Sequence, residues 1–117
     1  MMLLTKENRK QLPRLYSQDG AGMDAIAYVK FFTPDSNFTW YATEFDGQDL
    51  FFGYVDGGYC QELGYFTLSE LQAARGPYGL PIERDRWFRP AKLSEIVGQK
   101  ESKFDSTDPI EAILSRQ

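Results

Sequence analysis

Three features of the sequence predict an α+β fold: an antiparallel meander of four to five strands, with short helices at the N-terminus, after the fourth strand and at the C-terminus. Thirteen of the 18 aromatic residues lie between Tyr28 and Phe66, in runs that alternate as strands do. Tight-turn signals, TPDSN, Asp46-Gly47 and Asp56-Gly57-Gly58, divide those runs at the short intervals that hairpins need. Helix-capping signals sit outside the aromatic stretch, at Thr5, at Thr67–Glu70 and at Asp108.

Taken in order, Thr5 can cap a helix running to about Leu12, and Pro13 ends or bends it, because proline lacks an amide donor and restricts the residue before it. Leu12, Leu15 and Tyr16 are its anchors to the body, and residues 18–24 (QDGAGMD) form a loop. The first strand is residues 25–32, with Ala25, Ala27, Val29 and Phe31 on one apolar face and Ile26, Tyr28, Lys30 and Phe32 on the other. The second runs from Phe38 to Phe45, with Phe38, Trp40 and Ala42 facing one way and Thr39, Tyr41, Thr43 and Phe45 the other. Asp49 to Val55 is the third strand. Tyr59 to Phe66 is the fourth, with Gly64 marking a bulge or a close approach. Thr67-Leu68-Ser69-Glu70 fits a capping box for a helix over Leu68–Arg75, with Gly76 as its stop. Ile82–Pro90 reads as an edge strand and Leu93–Val97 as a helical turn. The predicted core is Ile26, Val29, Phe31, Trp40, Phe52, Val55, Phe66, Leu68 and Leu71.

A chain of 117 residues, 42% hydrophobic, supports one domain with a core of its own. We place that domain over residues 1–97. Residues 98–117 follow as a polar linker and a short helix striped by Ile110, Ile113 and Leu114, which docks on its own domain, docks on a second copy, or frays. There is no histidine, which excludes Ser-His-Asp and Cys-His catalysis and imidazole zinc sites. Cys60 is the only cysteine, so the chain forms no internal disulfide; it reads as a small buried or half-buried hydrophobe in a reducing compartment. No apolar run is long enough to span a bilayer, and a cytoplasmic protein without membrane contact is expected. Nucleotide fingerprints are absent. Glu44 and Asp46, with Asp49 across the turn, are a candidate for a metal or acid–base pair, but hairpins favour Asp for backbone reasons. Neither enzyme activity nor a metal or cofactor is expected.

Charge is divided along the chain. Residues 19–70 carry nine acids against Lys30 alone, whereas residues 71–103 carry seven bases and four acids. The acidic stretch coincides with the aromatic one, and tyrosines interleaved with acids make a protein-contact surface. The candidate partner-binding residues are therefore Glu44, Asp46, Asp49, Tyr54, Asp56, Tyr59 and Glu62. Tyr41, Tyr54, Tyr59 and Tyr65 are expected to be exposed. The partner would be a basic protein, such as one that handles nucleic acid, and the chain itself a monomer or weak homodimer. The alternative is a single-stranded nucleic-acid site at Arg84, Arg86, Trp87 and Arg89, where alternation puts Arg84, Arg86 and Phe88 on one side. A net charge of −4 works against it, since phosphate affinity depends on positive potential.

Three blocks, LLTKENRKQLPRLY, AIAYVKFFTPDSNFTWYATEFDGQDLFFGYVDGG and ELGYFTLSELQAARGPYGLPIERDRWF, resemble a family of small bacterial proteins of unknown function encoded mainly on plasmids, phages and integrative elements. The resemblance runs from about Leu3 to Ile96. It implies a mobile-element niche and, by a looser association, an inhibitor of type II CRISPR effector nucleases. It carries no catalytic residues.

Overall fold

Aromatic strands that bury both faces need a cover on each, and in this chain the cover comes from its ends. The computed structural model describes residues 2–98. Along the chain run α1 (Lys6–Gln11), a 3-10 turn (Gly22–Asp24), β1 (Ile26–Ala27), β2 (Val29–Phe32), β3 (Thr39–Phe45), β4 (Leu50–Asp56), β5 (Gln61–Thr67), α2 (Leu68–Ala73), β6 (Glu83–Arg84), β7 (Ala91–Lys92) and α3 over residues 93–98. β2 to β6 form one open antiparallel sheet in the order β5-β4-β3-β2-β6, while β1 and β7 pair as a separate ribbon. The α+β meander is as the sequence predicts. The predicted tail helix, and the linker beyond residue 98, lie outside the described residues. Among the described residues no helix is long and apolar enough to cross a membrane.

Capping sets the helix ends. Thr5 accepts from the Asn8 amide at 3.1 Å while the Asn8 side chain accepts from the Thr5 amide at 3.0 Å, a reciprocal box. The same box closes at Thr67 and Glu70, as predicted. Gly76 is not the helix stop. α2 ends at Ala73, with Ala74 already extended, and Gly76 packs instead on the Asp35 carboxylate, where a Cβ would overlap Asp35 Oδ1. Asp35 Oδ2 accepts from the Tyr78 amide at 2.8 Å, so this aspartate organises the 76–80 loop from across the molecule.

The main core cluster gathers Leu3, Leu4, Leu12, Val29, Phe31, Ala42, Phe45, Phe51, Phe66, Leu68, Leu71 and Ile82. Phe51 is its centre: its ring meets Phe45 at 4.5 Å, Phe66 at 5.2 Å and Phe31 at 5.6 Å. Burying one such ring contributes about 1.5–3 kcal/mol. A second cluster, Ala25, Ala27, Tyr41, Tyr54 and Leu93, lies on the opposite face under α3. Of the predicted core, Val29, Phe31, Phe66, Leu68 and Leu71 are buried. Trp40 and Val55 pack at its margin, and Ile26 and Phe52 are half-buried.

Two breaks in alternation account for most of the misplaced residues. The first strand is split at Tyr28: β1 leaves the sheet to pair with β7, so Ala25 and Ala27 join the second cluster while Val29 and Phe31 stay in the first. In β3, Ala42 pairs with Gly53 and Glu44 with Phe52, so Thr43 is an extra residue. Beyond it every side chain changes face. Phe45 enters the core beside Ala42 instead of facing away with Tyr41, and Glu44 turns to the Tyr41 side. Gly64, expected at a bulge, pairs regularly with Gly53, and nothing lies within 4 Å of a Cβ placed there. Gly53 is the close approach: a Cβ there would overlap the Tyr41 carbonyl oxygen. Cys60, expected to be buried or half-buried, is exposed in the β4–β5 turn, which displaces the start of β5 to Gln61.

Gly53→Ala is expected to cost about 3 kcal/mol, the upper end of the overpacking range. Gly64→Ala on the neighbouring strand should change stability by less than about 1 kcal/mol. Denaturant unfolding midpoints of the two variants check the pair; equal effects would contradict the bulge geometry.

Candidate functional site

Backbone amides, more than solvent, claim the acids of the aromatic stretch. Glu44 is only 4% exposed. Its Oε1 accepts from the Tyr16 amide at 2.8 Å and its Oε2 from the Gln18 amide at 2.6 Å. The Gln18 side chain extends the network, donating to the Ile26 and Thr43 carbonyls at 3.0 and 2.9 Å and accepting from the Ile26 amide at 2.7 Å. Tyr16 is held at φ 71°, a left-handed conformation rare for a residue with a side chain. Asp46 Oδ1 accepts from the amides of Gln48, Asp49 and Leu50 at 2.8, 2.8 and 3.0 Å and closes the β3–β4 turn. Asp49 takes the Ser69 amide at 2.8 Å and hydroxyl at 2.9 Å, tying that turn to the start of α2. Asp56, 3% exposed, accepts from the Gly58 amide at 2.9 Å and from Gln61 Nε2 at 3.2 Å.

This corrects the expected surface. Of the seven residues, Glu44, Tyr54 and Asp56 are buried and Asp46 and Asp49 staple turns, leaving Tyr59 and Glu62 as the exposed pair that, among the described residues, staples no turn. Tyr41, expected to be exposed, is buried with Tyr54 at a ring separation of 6.2 Å. Burial first, and the Asp56 charge second, hold the Tyr41 phenol above its ordinary value. The physical reason is common to all: turns and bulges leave amides without ladder partners, and a nearby carboxylate is the strongest acceptor for them. Charge counted along a sequence does not register that use.

What the fold does expose is the outer edge of β5. Tyr59, in the preceding turn, is 99% exposed; Glu62, Leu63 and Tyr65 follow along the strand. Tyr65 packs edge-on against Phe52 at 5.0 Å, with the rings 65° apart. Between β5, Phe52 and the 16–22 loop lies a pocket of about 300 Å³, lined among others by Tyr16, Asp19, Glu44, Phe52, Leu63 and Tyr65. The Tyr65 hydroxyl is held above its ordinary value by the Tyr16 side chain first and by the Glu44 and Asp19 charges after it. Tyr16, Asp19 and Leu63 were not among the candidates. The available signal was the position of β5, last in a meander and so an edge, with Leu63 and Tyr65 two residues apart on one side.

The arginine segment also differs from its expected alternation. β6 ends at Arg84 and the chain turns through 85–88, the Trp87 amide donating to Asp85 Oδ1 at 2.9 Å. Arg84 is committed to the Met2 and Leu3 carbonyls at 2.6 and 2.9 Å. Phe88 packs on Tyr41 at 5.9 Å. Arg86, Arg89 and Trp87 are exposed. Lys30 pairs with Asp85 at 3.7 Å, and Arg9 reaches the β3–β4 turn through the Gly47 carbonyl at 3.5 Å.

Glu44→Ala orphans two amides and is expected to cost about 3 kcal/mol in denaturant unfolding, in keeping with the loss of hydrogen bonds to a charged group. Asp46 carries a pH signature. The Gln48 and Asp49 amides hold its carboxyl below the ordinary value of 3.8. A lowered folded value means that its contribution is complete above the ordinary value and is lost as pH falls through the folded one. The difference in thermal midpoint between the wild type and Asp46→Ala should therefore be largest near neutrality and shrink as pH falls below the ordinary value of 3.8.

No curated protein and no solved structure matches the chain. A family model described as "Protein of unknown function (DUF2958)" matches residues 3–102, six residues past the Ile96 where the resemblance in the sequence was placed. That span is most of the 117 residues and takes in the whole five-stranded sheet, the β5 edge and the pocket behind it. The chain belongs to this family of proteins of unknown function.

Proposed function

We propose that the protein is a non-enzymatic accessory of a mobile genetic element that acts by binding a basic protein through the β5 edge. The observation that carries this reading is the row of exposed side chains there, Tyr59, Glu62, Leu63 and Tyr65, joined by Tyr16 and Asp19 from the facing loop. Exposed rings beside acids supply the apolar anchor and the charge that protein contacts use. The target we favour is a nucleic-acid-handling enzyme, with a CRISPR effector nuclease as the specific case. The niche and this target come from the family resemblance; the surface comes from the fold. A second reading, single-stranded nucleic-acid binding, is favoured by one observation: Trp87 is 86% exposed, with Arg86 and Arg89 exposed on either side of it.

Capture with the full chain from cells carrying a mobile element, followed by titration of the captured protein, tests the first reading. Binding should weaken at least tenfold between 50 and 300 mM salt, since rim charges act over the Debye length. The double variant Asp19→Lys, Glu62→Lys should bind at least tenfold more weakly with its thermal midpoint unchanged. Capture of no protein, or binding indifferent to both changes, overturns the reading. A gel shift of single-stranded oligonucleotide at low salt that Trp87→Ala abolishes would establish the second reading instead.

A further inference from the structure

Resting on that protein-binding reading, we propose that the β5 edge takes an extended basic peptide segment as an added strand, one arginine or lysine side chain passing over Leu63 and Tyr65 into the pocket beside Tyr16. The phase of the hydrogen-bond ladder sets which groups are available. The Gly57 amide donates to the Cys60 carbonyl at 2.9 Å at one end of the hairpin, and the Leu68 amide to the Asp49 carbonyl at 2.8 Å at the other. Bonded pairs alternate along an antiparallel ladder. With Val55 opposite Glu62 and Phe51 opposite Phe66 as bonded pairs, the amides and carbonyls of Gln61, Leu63, Tyr65 and Thr67 point away from β4. The Thr67 amide is used by Glu70 at 3.1 Å, which agrees with that phase. Among the described residues nothing covers the Leu63 and Tyr65 amides. The strand is seven residues long and carries one charge, Glu62, and no proline, so it lacks the usual protection of an edge.

Side chains opposite one another in an antiparallel pair share a face. A residue opposite Leu63 or Tyr65 therefore points to the pocket's side of the sheet. It must cross about 4.8 Å, one strand spacing, to enter. The pocket wall is apolar along that path, Leu63, Tyr65 and Phe52, and the charged groups lining it are Asp19 and Glu44, with no cation among them. An aliphatic stem ending in a cation complements this arrangement: the stem lies on the rings and the charge reaches Asp19. Main-chain bonds then give affinity and the pocket gives specificity, which is how strand addition works where a side-chain pocket adjoins an edge.

The test is a titration of the full chain with the capped heptapeptide Thr-Arg-Thr-Arg-Thr-Arg-Thr and with its citrulline counterpart, which keeps the shape and removes the charge. The arginine peptide should bind, and the citrulline peptide at least tenfold more weakly. Leu63→Pro removes an outward amide without taking a bond from the β4 ladder, and should weaken arginine-peptide binding at least tenfold in a folded protein. Asp19→Lys, on an exposed loop outside the sheet, should do the same and serves where Leu63→Pro does not fold. Equal affinity for the two peptides, binding that survives both variants as for any polycation on an acidic protein, or self-association of the chain through β5 that the peptide does not displace would each overturn the inference. A captured protein whose binding ignores Leu63→Pro sinks strand addition and leaves the protein-binding reading standing; failure to capture any protein sinks the reading itself.

Discussion

Glu44 is the tie between the chain's first twenty residues and the sheet. β2 leaves β3 at Ala42, so the last turn of β3 has no strand on that side and its amides need other partners. The segment after α1 supplies them: the Pro13 carbonyl accepts from Phe45 at 2.9 Å, and Gln18 spans Thr43 and Ile26. What holds this strap in register is the Glu44 carboxylate, accepting from two of its amides and keeping Tyr16 in a backbone conformation it would not adopt alone. A buried ion is costly unless its oxygens are filled, and here both are filled by amides of the strap. The pocket exists because the strap stands off the sheet at that point.

The acids show how a charge count and a charged surface come apart. The middle of the chain is rich in carboxylates, yet four of them, Glu44, Asp46, Asp49 and Asp56, accept from backbone amides at a bulge or a turn. Their role is local geometry, and a field reaching a partner must come from the others, such as Asp19 and Glu62. The arginines do not cancel them either: Arg84 bonds to carbonyls of the N-terminal segment, and so anchors Leu3 beside the core. Cations and anions alike serve the backbone more than each other.

Much of this was legible before any coordinates. Hairpin signals at Asp46-Gly47 and Asp56-Gly57-Gly58 placed the three long strands, and the Thr67–Glu70 box placed α2, because these depend on a few neighbouring residues. The helical turn after Leu93 was also readable, as was an edge strand in the 82–90 segment, though it is only Glu83–Arg84 and the chain turns away after it. Face assignments failed where non-local geometry intervened. One inserted residue in β3 inverts Phe45 and Glu44, and nothing in TWYATEF distinguishes a bulged strand from a regular one. Phe51 was passed over as the core's centre for the same reason, since its burial depends on Phe45 pointing inward. Tyr54 and Tyr41 have polar tips that favour exposure on average, but α3 covers them, and its contribution could not be read from Leu93–Val97 alone.

The extra residue in β3 fastens more than it spaces. Removing Thr43 would set Ala42, Glu44 and Phe45 opposite Gly53, Phe52 and Phe51 in an unbroken ladder, each on the face it has now. What would go is the carbonyl that Gln18 grips and the hydroxyl that donates to the Phe52 carbonyl, so the bulge works as a buckle, and a shorter strand would lose one fastening of the belt formed by the first twenty residues.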